Sequence, residues 1–490
     1  MWTESPTVRR AFLQQTGAGF GWLALSQLLA DEAPASPAIR TAPGEYDPAA
    51  PLRPRRPHFH SSVRSVIWLF MHGGPSQVDT WDFKPELAKR DGQELQGFDQ
   101  STGFFAGLAG PIMRSPFSFA QYGESGTWAS EILPHLSRCV DEMAFIHSCH
   151  TTANNHSPAQ FEISSGLPRL GLPCLGSWVT YGLGSENQNL PAFIVMYDAQ
   201  GRGLPKSRSI HWGAGFLPGV FQGSALSPTG SPVEDLQSPT GPSPRRQREL
   251  LDFVQKANRR HAAERSGDSE LAARIESFEL AYRMQSAAPE ALDIAQETEQ
   301  THRLYGIEDP RSAPYGKQLL TARRLIERGV RFVQVYSGGF ANHDCWDGHD
   351  NLDANHRQFA AETDQPIAGL IQDLKARGLL DSTLVICCGE FGRLPLVQKG
   401  GTGRDHNPHA FTVWFAGGGV RKGVHFGSTD ELGNRAVEGR VSIHDLHATI
   451  LHLIGIDHEK LTYRHNGRDF RLTDVEGEVV SAIVPQTGVP

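Results

Sequence analysis

The sequence predicts an α/β protein with a mostly parallel sheet sandwiched by helices. Short apolar runs rich in β-branched and aromatic residues recur along it, such as Val66-Ile67-Trp68-Leu69-Phe70 and Leu384-Val385-Ile386. They show no polar alternation, as expected of strands buried on both faces. Stretches of helical periodicity separate them, and strands alternating with helices imply parallel pairing. Several runs end at glycine-flanked polar residues, and in open α/β sheets ligands bind where strands end at their carboxyl edge.

A chain of 490 residues holds one large domain with insertions or two to three ordinary ones. Hydrophobic residues at 39% and charged residues at 20% describe a globular protein, not a disordered or membrane-spanning one. The net charge of −8 offers no basic footprint for nucleic acid. The 21 histidines are numerous and clustered, and histidine is the commonest metal ligand.

Near the N-terminus, Arg9-Arg10-Ala11-Phe12-Leu13 precedes a weakly apolar, glycine-containing run from Gly17 to Leu29. This resembles a twin-arginine export signal, taken as 1–33, and implies a periplasmic or secreted protein. The run is too short to span a bilayer, so no transmembrane anchor is expected after signal removal. A chance Arg-Arg pair before an amphipathic helix is the other reading. Residues 34–63, rich in Pro, Ala and Arg, read as a linker, 64–475 as the main domain and 476–490 as a tail. Six cysteines in an exported chain allow one or two disulfides, but Cys387 and Cys388, adjacent in a strand, point to opposite faces and do not pair with each other.

The first strand, 65–71, runs into a tight turn, His72-Gly73-Gly74-Pro75-Ser76, with Asp79 and Asp82 beyond it. Residues 100–130, rich in Gly, Ser and Phe, read as loop. A helix is expected at 128–139 and a strand at 143–147. The polar loop from Cys149 to Gln160 then enters a helix ending near Gly166. Such a loop can offer N–H groups at a helix N-terminus to an anion, but Ser157-Pro158 equally suits a plain cap. After a strand at 192–196, residues 199–310 read as an insertion: a Gly/Pro/Ser-rich part with Ser-Pro-Thr-Gly repeated at 227–230 and 238–241, then two or three helices. Helix 316–328 feeds strand 331–336, whose end carries Asp344, Asp347 and His349. Helix 353–377 feeds strand 383–388, which stops at Gly389-Glu390-Phe391-Gly392-Arg393. Gly403-Arg404-Asp405-His406-Asn407-Pro408-His409 leads into strand 411–416. Helix 443–454 and a hairpin-like segment, 467–484, close the chain.

Carboxylates and imidazoles thus gather at four strand ends: His72 with Asp79, His147 to His156, Asp344 with Asp347 and His349, and Glu390 with His406 and His409. On one edge of a sheet they converge, which predicts a metal or acid–base site. Each has a plainer reading alone: Asp347 and His349 as a capped loop, Arg393 as a structural partner of Glu390, and His356, His444, His447, His452 and His458 as packing or surface groups.

Residues 370–385 and 442–456 resemble a helix–strand unit and a late helix of sulfatases and the wider alkaline-phosphatase superfamily. Met71-His72-Gly73-Gly74-Pro75-Ser76-Gln77, Trp346-Asp347-Gly348-His349, Glu390-Phe391-Gly392-Arg393 and Gly403-Arg404-Asp405-His406 are closer to one branch. That branch is a domain-of-unknown-function family of twin-arginine-exported, sulfatase-like proteins. The resemblance implies that fold over about 64–475. It lays His156 over the nucleophile position and Glu390 over a late metal carboxylate, with Phe391 replacing the usual neighbouring ligand. Asp347, His349 and one of His406 or His409 would form one metal centre. His72 or Asp79, His156 and Glu390 would form a second. Arg393 and Arg404 would clamp an anion, with Asn155 beside them as a substrate-binding group. An imidazole-rich set favours Zn²⁺ over Mn²⁺, and Ca²⁺ fits poorly. The implied function is hydrolysis of a small-molecule or glycan phosphate or sulfate ester by metal-bound hydroxide, with a phospho-His156 intermediate as the variant route. The alternative is a catalytically degenerate relative that binds an anionic glycan or protein partner, because His156 stands where a formylglycine precursor would need Cys or Ser. Oligomeric state has no readable signal.

Overall fold

The computed structural model describes residues 46–47, 50–228, 243–263 and 269–485; the expected signal segment lies outside them, as does most of the Ser-Pro-Thr-Gly repeat. In chain order the strands that matter are β1 (Ser65–Met71), β2 (Ala109–Ile112), β3 (Met143–Cys149), β4 (Phe193–Met196), β5 (Ser224–Leu226), β6 (Phe332–Ser337), β7 (Thr383–Cys388), β8 (Gly392–Gln398), β9 (Arg404–Asn407), β10 (Phe411–Gly417) and β11 (Val424–Phe426). The main helices are α1 (His156–Ser165), α2 (Leu175–Leu183), α3 (Ala313–Glu327), α4 (Leu352–Ala376) and α5 (Ile443–Leu453). Eight strands form one sheet in the order β11-β3-β10-β7-β1-β6-β4-β5, and β8, β9 and β2 form a smaller one above it.

β1 is buried along its whole length because both faces are covered. Val66, Trp68 and Phe70 pack into one core with residues of α1, α2 and α5. Ile67, Leu69 and Met71 pack into the other with residues of α3 and α4. The two-residue period of a strand divides one continuous apolar run between two helix layers. Cys388 and Cys387 fall into those opposite cores, and all six cysteines are free and buried, with none of the disulfides an exported chain allows.

β10 runs antiparallel to both neighbours, β7 and β3, while the other main-sheet pairs are parallel. The reason is its connection. From β7 the chain rises through the β8–β9 hairpin and re-enters the sheet after residues 408–410, with no helical crossover. The hairpin therefore overhangs the carboxyl edge and adds its residues to the ends of β1, β3, β6 and β7.

Several expected elements differ. The helix expected at 128–139 is a strand, Thr127–Ser130, then a turn through Pro134 and a 3₁₀ segment, Leu136–Glu142. Pro134 has no N–H to give a helix and disfavours helical geometry at Leu133. Within the expected loop 100–130, Phe119–Tyr122 pairs with Thr127–Ser130 across a turn holding Gly123 and Gly126, both with positive φ. The late hairpin lies at Tyr463–His465 and Arg468–Phe470, around Asn466-Gly467 with φ of 47° and 83°. From residue 50 onward the expected linker packs on the domain, with Arg55 donating to the carbonyl oxygens of Thr180 at 3.1 Å and Gly182 at 3.3 Å, at the end of α2. The expected tail contributes Val480, Ile483 and Val484 to the core.

Gly73 lets two strand ends meet. Its φ is +106°, and a Cβ there would lie 2.6 Å from Asp347 N and 2.7 Å from Trp346 N. Trp346 N–H donates to the His72 carbonyl oxygen at 2.9 Å, which locks the loop after β6 onto the turn after β1. Gly73→Ala should cost about 1–3 kcal/mol in urea unfolding, and should displace Asp347.

Candidate metal centre

His156, Asp347, His349 and His406 meet at the carboxyl edge of the sheet. One ligand atom from each lies within 4.8 Å of the others, and all four residues are buried. His156 is the first residue of α1, capped by Asn155, whose side chain accepts a 3.4 Å hydrogen bond from Ser157 N–H. Asp347 and His349 come from the loop after β6, and His406 from β9.

Hydrogen bonds orient the three rings. His406 Nδ1 lies 2.7 Å from the Asn154 carbonyl oxygen, so this nitrogen carries the proton and donates it. His349 Nδ1 meets Gln398 Oε1 at 2.6 Å, and His156 Nδ1 meets Glu390 Oε1 at 2.6 Å. Each ring then turns its Nε2 to Asp347: His349 at 2.9 Å and His406 at 3.2 Å from Oδ1, His156 at 3.0 Å from Oδ2. His349 Nε2 and His406 Nε2 also face each other at 2.9 Å. Lone pairs aimed at one another and at a carboxylate repel unless a proton or a cation lies between them. Burial holds His406 well below the usual imidazole range, which keeps that ring neutral, with its one proton on Nδ1. Neutral histidines that donate Nδ1–H to an oxygen and present a bare Nε2 have the form of metal ligands. The residues fit a divalent cation, and three imidazoles with one carboxylate match the donor set of Zn²⁺ better than that of Ca²⁺.

Asp347 is held from both sides. Burial alone raises its carboxyl, but the Arg393 guanidinium overrides that and keeps it well below 3.8. Arg393 Nη2 donates to Oδ1 at 2.7 Å, and Lys206 Nζ to Oδ2 at 3.0 Å. Glu390 forms a neighbouring station. Burial raises it too, but the hydrogen bond from His156 and the imidazoles of His72 and His156 bring it down from 4.5 to about 2. Gly73 N–H donates to both its oxygens, at 3.1 and 3.2 Å.

The structure places the other expected site residues differently. His72 Nδ1 accepts from Gln160 Nε2, whose orientation is set by Ser207 N–H donating to Gln160 Oε1 at 3.0 Å. The lone pair of His72 is thereby used, and burial lowers this ring to about 3. Asp79 is engaged by Arg404 through Nε at 2.7 Å and Nη2 at 3.2 Å, both groups fully buried. Arg404 also donates to the carbonyl oxygens of Leu394 and Met113, which binds it into the core rather than to a substrate. Arg393, fully buried, spends its remaining hydrogen bonds on the carbonyl oxygens of Gly73, Gly74 and Arg404, so it positions Asp347 instead of pairing with Glu390 or clamping an anion. Asn155 is a helix cap, and half-buried His409 stands among Arg435, Arg440 and Asp99 rather than in the cluster. His147 stacks on Phe145 and His425.

Lys206, Asn154, Gln160 and Gln398 have no counterpart among the residues singled out in the sequence. Lys206 lies in a Gly/Pro-rich stretch without periodicity, and Asn154 acts through its backbone. The nearest available signal was Gln160, one turn along α1 from His156.

Two outcomes are expected. Arg404→Ala, which strands a buried Asp79, should lower stability by about 3–5 kcal/mol in urea unfolding. Glu390, lowered in the fold, stabilises above its unfolded value and loses that contribution as pH falls. Stability should therefore decline between pH 4.5 and about 2, by roughly 3 kcal/mol from this group, and Glu390→Gln should flatten that part of the profile.

The family model described as a protein of unknown function, DUF1501, matches residues 63–484. A search of curated proteins finds no match. Among solved structures, the chain is similar to the lipoteichoic acid synthase LtaP from Listeria monocytogenes, at 9% identity and a TM-score of 0.31, over 84% of this chain and 74% of that one. It is similar to the PsFucS1 sulfatase from Pseudoalteromonas sp., at 11% identity and a TM-score of 0.35, over 81% and 68%. It is also similar to alkaline phosphatase from the Antarctic bacterium TAB5, at 11% identity and a TM-score of 0.31, over 76% and 96%. With its match running over most of its length, this chain belongs to the DUF1501 family.

Proposed function

We propose that the protein is an exported, divalent-metal-dependent hydrolase of phosphate or sulfate esters. The observation that supports this is the convergence of three imidazole Nε2 atoms on Asp347. A bound cation would lower the pKa of a water and offset charge on a phosphoryl or sulfuryl oxygen. The chain's own groups supply the rest. Arg393 fixes Asp347, while Gln398 and the Asn154 carbonyl fix the tautomers of His349 and His406. Lys206 spends one ammonium proton on Asp347 and keeps the others for an anionic ester. Glu390 accepts a hydrogen bond from His156 Nδ1–H, and the ring's Nε2 faces Asp347 Oδ2, which favours attack by water over a phospho-His156 intermediate.

The same engagement of His156 supports a second reading, an anion-binding relative without turnover. Metal analysis with an ester panel separates the two. Purified protein should carry about one equivalent of a transition metal, Zn²⁺ ahead of Mn²⁺, and His349→Ala and His406→Ala should lose it. Metal-loaded protein should hydrolyse an aryl phosphate or an aryl sulfate. Lys206→Ala should raise KM about tenfold with metal content unchanged. Metal without turnover on either ester class supports the binder, and absence of metal overturns the metal reading.

Export rests on the paired Arg9 and Arg10. Replacing both by lysine should leave the protein in the cytoplasmic fraction.

A further inference from the structure

We infer that Phe104 and Phe105 form a stacking shelf for the esterified group, so that the substrate is an ester of a ring-bearing alcohol. This rests on the ester-hydrolase reading above. The Phe105 ring lies edge-on to His349 with centroids 5.2 Å apart, and the Phe104 ring lies 5.6 Å from His406. The two rings meet each other at 4.9 Å and 81°, forming a corner beside two of the candidate ligands. Covering those histidines would leave the rings themselves buried; instead Phe104 is 43% and Phe105 37% exposed. An apolar surface left open beside a buried charged cluster is one that a ligand can cover.

The corner is built. Phe105 N–H donates to Asp405 Oδ2 at 2.8 Å, and Asn154 Nδ2 donates to the Gly103 carbonyl oxygen at 2.9 Å. Asp405 directly precedes His406 and accepts its N–H at 2.7 Å; Asn154 supplies the carbonyl that fixes the His406 tautomer. The residues that set the metal-facing ring thus also set the shelf. Gly103 makes the approach feasible, because a Cβ there would lie 2.3 Å from Asp405 Oδ2. An anion held at Lys206 and the histidines would carry its esterified group past this corner. A ring face, aromatic or pyranose, stacks on such edges, whereas a short alkyl group gains little there.

Calorimetric titration of the metal-loaded full chain tests this without turnover. The paired probes, none of them a hydrolysable ester, are phenylphosphonate against methylphosphonate, benzenesulfonate against methanesulfonate, and glucopyranosylmethylphosphonate against methylphosphonate. In the pair whose anion binds, the ring-bearing partner should bind about five- to tenfold tighter. The F104A/F105A double variant should lose that advantage while methyl-probe affinity stays unchanged. F104L/F105L should keep only part of it, which separates stacking from bulk. The sugar pair distinguishes a pyranose from an aryl ring. Equal affinity within every pair, an advantage that survives F104A/F105A, or no binding of any probe overturns the shelf. A ring advantage without turnover on any ester keeps the shelf and overturns the hydrolase; turnover without a ring advantage does the reverse.

Discussion

The site depends on keeping one carboxylate ionised inside the protein. Asp347 is 5% exposed, and stripping water from a charge costs several kcal/mol unless partners replace it. Arg393 supplies one replacement, and it does so because its other N–H groups are tied to carbonyl oxygens of the turn after β1 and of β9. The guanidinium is therefore a three-way junction between β1, the β6 loop and the β8–β9 hairpin. Its fixed fork suits this role in a way a lysine would not.

The charges at the site show what it is prepared to meet. Asp347 and Glu390 are matched by Arg393 and Lys206. A third buried carboxylate, Asp405, stands 3.8 Å from His349 Nδ1, so the carboxylates of the site outnumber its fixed cations by one. A divalent cation would turn that balance positive in a region from which water is largely excluded, where attraction for an anion is stronger than at the surface.

The sheet was legible in the sequence where strands are covered on both faces. Ser65–Met71 and Thr383–Cys388 are unbroken apolar runs because two helix layers demand it. The reversed direction of β10 was not legible, because direction follows from a hairpin excursion and not from the strand's own residues. Strands 119–122 and 127–130 were hidden by short length and glycine-rich surroundings. In the site, the types and neighbourhood of His156, Asp347, His349 and His406 stood out, as did Glu390. Which of the many histidines join the cluster did not, since His406 and His409 differ only in which side of β9's end they occupy. The Asp79–Arg404 pair joins residues 325 positions apart, and no local pattern marks two charges as each other's partners.

The free, buried cysteines bear on where this domain can be made. Not one of its six thiols takes part in a covalent cross-link, and burial pushes Cys174 up to about 11 and Cys388 up to about 12. At such values almost no thiolate is present to attack or be oxidised. The native state thus owes nothing to an oxidant, and its stability is the same in a reducing as in an oxidising compartment. Folding therefore does not wait on an oxidising compartment.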